Sequence, residues 1–104
     1  MGSRYVHIKR ADRGRRRFRV LFRIGCFVVH RAVRCGACYF AFTVTHEPSG
    51  LACTEHMRMA PAKHVARVLA AMPEPWTRIR SRKDAPPGLT ERARAALLAR
   101  EARA

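Results

Sequence analysis

The sequence predicts a small zinc-stabilised α+β domain: an N-terminal antiparallel β-hairpin or meander, a zinc knuckle plus hairpin, a following helix and a basic C-terminal helix. Three observations lead there. Two pairs of soft ligands share one spacing, Cys35-Gly-Ala-Cys38 and Cys53-Thr-Glu-His56, with fourteen residues between the pairs. Residues 17–24 alternate with period two, Phe18, Val20, Phe22 and Ile24 on one face and Arg17, Arg19, Leu21 and Arg23 on the other. Two later stretches carry helical composition, one of them with an apolar stripe of period 3.6.

The N-terminal elements follow from local pattern. Arg4 to Arg10 alternates well enough for a strand, and Ala11-Asp12-Arg13-Gly14 reads as a turn. The run 17–24 is then a half-buried strand with an arginine-rich outer face, hairpinned to the first. Gly25 marks a bend or bulge, and Cys26 to Val33 continues as a third strand.

The ligand pairs come next. Cys35, Cys38, Cys53 and His56 match a tetrahedral zinc site, since a two-residue spacer lets one tight turn aim both side chains at one ion. The intervening residues suffice for a hairpin, with strands at 39–45 and 51–52 and a turn at 46–50. Cys53 and His56 are expected on the opening turn of the element that follows. The order knuckle, hairpin, helix resembles the treble-clef class of zinc fingers, with the zinc ribbon beside it; Pro61 departs from that pattern, because a helix beginning at Cys53 would break there. Cys26 or His30 could replace a ligand, four small apolar cysteines could simply pack, and Cys35–Cys38 has the spacing of a redox pair. The aromatic and β-branched residues after Cys38 favour a strand over the helix that a redox motif needs.

Pro61 to Met72 is an amphipathic helix with Val65, Val68, Leu69 and Met72 as its stripe. Pro73-Glu74-Pro75 stops it, and Trp76 covers the core edge. Thr77 to Arg82 alternates again, as an edge strand or an extended linker. Ala85-Pro-Pro-Gly88 is a hinge, and Thr90 caps a last helix, Glu91 to about Ala102, whose apolar face of Ala93, Ala96 and Leu97 is thin. Two units are expected: residues 1–76, zinc-stabilised and β-rich, and residues 77–104, a basic extension.

Basic residues number 22 against 7 acidic ones, for a net charge of +15. Residues 1–34 hold eleven Lys/Arg against one acid, residues 35–72 three against two, and residues 73–104 eight against four. A near-neutral middle is thus flanked by basic arms, the distribution expected of a nucleic-acid binder. The residues expected to meet phosphate are Arg15, Arg16, Arg17, Arg19, Arg23, Arg78, Arg80 and Arg82, whether on DNA or RNA. The alternative is a protein-interaction adaptor docked on a larger assembly such as a polymerase, through a sheet edge or the C-terminal helix. Catalysis is not expected: His46 and His64 lack an accompanying carboxylate cluster and read as solvated residues. Arg23 and His30-Arg31 interrupt the apolar run after Arg15-Arg16-Arg17, so no export signal or membrane span is read, and a cytoplasmic protein is expected.

Overall fold

The alternating run 17–24 does not form one strand. The computed structural model, which describes residues 4–10, 14–31 and 41–103, divides it into β2 (Gly14–Arg19) and β3 (Phe22–Ile24). The change of partner occurs between adjacent residues. Val20 N–H donates to Arg4 O at 2.7 Å, and Leu21 N–H donates to Val29 O at 2.8 Å. Accordingly β2 pairs with β1 (Tyr5–Arg10) in a two-stranded sheet, and β3 pairs with β4 (Phe27–Arg31) in a second sheet.

That second sheet is antiparallel, in the order β3-β4-β5-β6, with β5 at Phe42–His46 and β6 at Leu51–His56. Between β3 and β4 the two-residue turn Gly25-Cys26 has Gly25 at φ 56° and no positive φ at Cys26. A type II′ hairpin asks for glycine at its first position in this way, and its twist matches that of the strands. A register shift in the β5–β6 ladder leaves Cys53 as the extra residue between Ala52, opposite Thr45, and Thr54, opposite Val44.

The helix α1 (Met59–Ala71) buries Ala62, Val65, Ala66, Val68 and Leu69. Pro61 lies in its first turn, where a missing N–H costs no intrahelical bond, and the chain leaves helical geometry at Met72, just before Pro73. Against α1, one sheet face presents Phe27, Val29 and Val44, with Phe22 and Ile24 packed alongside. On the opposite face Val6 and Val28 form a smaller core joined by Phe18 and Val20. A single apolar stripe therefore feeds two cores: Phe18 and Val20 fill one, and Phe22 and Ile24 the other. Strand β4, covered on both faces, is buried from Phe27 through His30.

Two histidines are built into these layers. His30 Nδ1 donates to Arg31 O and its Nε2 accepts from Thr45 Oγ1, both at 2.7 Å. Its ring lies 5.0 Å from that of Phe18. His46, only 4% exposed, has the opposite tautomer: Nε2–H donates to Trp76 O and Nδ1 accepts from Ser49 Oγ, both at 2.8 Å.

After α1 the chain makes two short 3-10 turns, Trp76–Arg78 and Arg82–Asp84, in place of the expected strand or extended linker. It closes with α2 (Leu89–Arg103). Ala93 and Leu97 of α2 pack against the same cluster as α1, and Arg92 clamps Glu74 through Nε at 2.7 Å and a second nitrogen at 2.9 Å. The C-terminal helix thus docks on its own chain. Among the described residues, no helix is long and apolar enough to cross a membrane.

Candidate nucleic-acid interface

The β1–β2 register sets Tyr5 opposite Arg19, His7 opposite Arg17 and Lys9 opposite Arg15. The side chains of Tyr5, His7, Arg17 and Arg19 share one face, because residues two apart along a strand point the same way. The other face holds Val6 and Phe18 and is turned into the smaller core. Tyr5, His7, Arg17 and Arg19 are all exposed, so the hairpin presents an aromatic ring, an imidazole and two guanidinium groups outward. The Arg17 guanidinium sits over the Tyr5 ring, 4.4 Å from its centroid, across the strand diagonal. Neither Arg17 nor Arg19 has an acidic partner among the described residues.

The remaining basic positions fare differently. Arg16 stands opposite Ile8 in the register. Arg23 is part-buried in an ion pair with Glu47, 24 residues away, so its charge is already met within the fold. Arg78, Arg80 and Arg82 are exposed, but Arg78 ends the first 3-10 turn, Arg80 follows buried Ile79 between the turns and Arg82 opens the second, so they do not form the regular file that an extended strand would give.

For the metal reading, Cys35 and Cys38 lie outside the described residues. The expected helical turn for Cys53 and His56 is corrected: both belong to β6. At roughly 3.3 Å per residue their Cα atoms stand about 10 Å apart. Cys53 Sγ lies 3.9 Å from Leu51 O, and His56 Nε2 is 2.9 Å from Thr54 Oγ1. Although Cys53 is exposed as a residue, its sulfur lies against protein, and that desolvation pushes the thiol up to about 11. Burial, assisted by the Glu47 carboxylate, likewise raises the Cys26 thiol. Among the described residues, no three of His, Cys, Asp and Glu gather as a metal site.

His64 is exposed as expected, but His46 is not solvated. Burial holds its imidazole below the ordinary histidine pKa against the opposing pull of the Trp76 carbonyl. Its partners are a turn serine and a backbone carbonyl, which fix the β5–β6 turn. One feature escapes sequence reading altogether: a groove of about 470 Å³ between β6 and α2, lined by Cys53, Thr54, Trp76, Leu89, Ala93 and Leu97 among others. Trp76 packs edge-on against Phe27 at 4.8 Å, and its buried indole N–H finds no acceptor among the described residues, at a cost of about 1–3 kcal/mol.

No protein-family model matches the chain, and neither a curated protein nor a solved structure matches it.

Proposed function

We propose that this is a non-catalytic nucleic-acid-binding module, cytoplasmic in setting, which contacts phosphates through the outer face of the β1–β2 hairpin. The observation that carries the reading is the register of Tyr5 with Arg19 and His7 with Arg17 on one exposed face. Guanidinium groups at alternate positions of β2 recur at about 7 Å, close to the spacing of successive phosphates in an extended strand. The guanidinium over Tyr5 adds a flat, cationic surface suited to stacking a base. The net charge of +15 supplies the long-range attraction. The experiment is a salt titration of binding to a labelled single strand and to a plain duplex. Salt-sensitive binding to either supports the reading, and none at physiological ionic strength removes it.

We separately propose that the chain holds a zinc ion. Cys35 and Cys38 belong to the connection between β4 and β5, whose flanking residues Arg31 and Phe42 are paired. His56 is the cross-strand neighbour of Phe42, and its carbonyl accepts from Ala41 N–H at 3.0 Å. The ligand set we propose is Cys35, Cys38, Cys53 and His56, with Cys35 and Cys38 outside the described residues and Cys53 and His56 on β6. A zinc held there would supply a cross-link between the connection and β6.

A further inference from the structure

We propose that the groove between the edge of β6 and α2 receives an extended, acidic peptide segment of a partner protein, added to the four-stranded sheet as a fifth strand. The sheet order ends at β6, which has β5 on one side and no hydrogen-bonded strand on the other among the described residues. A bulge at Cys53 interrupts the ladder, and from Ala52 to Thr54 this edge forms one wall of the groove. The opposite wall is α2, through Leu89, Thr90 and Ala93. An added strand lies about 4.8 Å from its neighbour and sends alternate side chains to opposite faces. Backbone bonds to β6 would then give affinity, and one apolar side chain of the peptide would enter among Phe27, Trp76 and Leu97.

Charge selects the occupant. Arg94 lines the groove, and Arg82 lines an adjoining cavity that shares Ala52, Cys53, Trp76, Leu89 and Thr90 with it; both are exposed and neither has an acidic partner among the described residues. Arg92, by contrast, is committed to Glu74. The one carboxylate of β6 is Glu55, beyond Thr54. A second copy of this chain would bring the same arginines, on a molecule of charge +15, against themselves. A peptide alternating carboxylates with apolar residues meets both arginines and fills the apolar wall between them. The groove opens on the α1 side of the sheet, lined there by Phe27 and Leu69, whereas the outward face of the β1–β2 hairpin takes no part in it, so this inference stands independently of the nucleic-acid reading.

The test uses the full chain and a panel of fluorescein-labelled decapeptides in which glutamate alternates with Val, Ile, Leu, Phe or Tyr. At least one member should bind saturably at moderate ionic strength, and its counterpart with lysine in place of glutamate should not. N-methylation of alternate backbone amides should abolish binding, as expected for strand addition. The double substitution R82E/R94E should weaken binding at least tenfold while leaving the melting temperature within a few degrees. L98E, at an exposed groove residue, should weaken it several-fold. Binding unaffected by R82E/R94E, binding lost instead on neutralising Arg17 and Arg19, saturable binding by no member of the panel, or self-association through β6 would each overturn the proposal.

Discussion

His46 and Trp76 are 30 residues apart in sequence, and the Nε2–H of the first donates to the carbonyl oxygen of the second at 2.8 Å. The bond ties the end of β5 to the first 3-10 turn. Because Trp76 also packs on Phe27 and lines the groove, one buried imidazole links the sheet, the core and the groove wall.

That link makes the fold acid-sensitive. Burial lowers the pKa of both His46 and His30 below the ordinary value of 6.5. In the unfolded chain both titrate near that value, so in mildly acidic solution the unfolded state binds more protons than the native one. Stability is therefore fully present above about pH 6.5 and is lost as pH falls below it. The melting temperature should drop by several degrees between pH 7.5 and pH 5, and H46Q should flatten that dependence. A pH-independent melt across this window would show that neither histidine is buried neutral.

The second prediction concerns the attachment of α2. Its apolar contribution is modest, Ala93 and Leu97, and the Glu74–Arg92 pair supplies a two-pronged link between the α1 exit and α2. Arg92 also donates to Pro87 O at 2.7 Å, fixing the turn before the helix. E74Q should leave the sheet intact but loosen α2, read as faster hydrogen exchange over residues 89–103 and earlier tryptic cleavage at Arg94. Unchanged exchange would mean that Ala93 and Leu97 hold the helix unaided.

Local pattern reveals some of this architecture and hides the rest. The α1 stripe, the turn expected at 46–50 and found at 47–50, and the hairpin of β1 with β2 are visible because each depends on residues close in sequence. The break at Val20–Leu21 is not, since side-chain alternation continues through it while the backbone changes partner. The stretch 53–56 is misread because a ligand-like spacing suggests a compact turn, whereas pairing with β5 keeps it extended. His46 reads as a solvated turn residue until Trp76 covers it. The groove is invisible to local pattern: Leu89, Ala93 and Leu97 look like a thin helix face until they meet β6.

The metal question has a graded outcome. We expect about one zinc per native chain by elemental analysis, lost in C35S and C38S. C53S should lose the metal as well, and H56A should weaken it. Zinc retained in C53S would instead remove Cys53 from the ligand set. Folded, metal-free native protein would remove zinc from the account.

The last prediction separates the hairpin from the rest of the basic surface. Each phosphate neutralised contributes about 0.7 to 0.9 to the slope of log affinity against log salt. Arg15, Arg17 and Arg19 occupy alternating positions of β2, opposite Lys9, His7 and Tyr5, so one nucleic-acid strand can meet all three. Replacing the three together by glutamine should flatten the slope by about 2 to 3. The melting temperature should change little, because Arg17 and Arg19 are exposed and make no ion pair within the fold. The matched control is Arg58, Lys63 and Arg67. Lys63 and Arg67 lie over the Phe22 ring at 5.3 and 5.2 Å on the α1 side of the sheet, so replacing that trio should alter the slope far less. Equal losses from both triple variants would mean that net charge alone drives binding and that the hairpin is no discrete site. A larger loss from the α1 trio would move the interface to the helix.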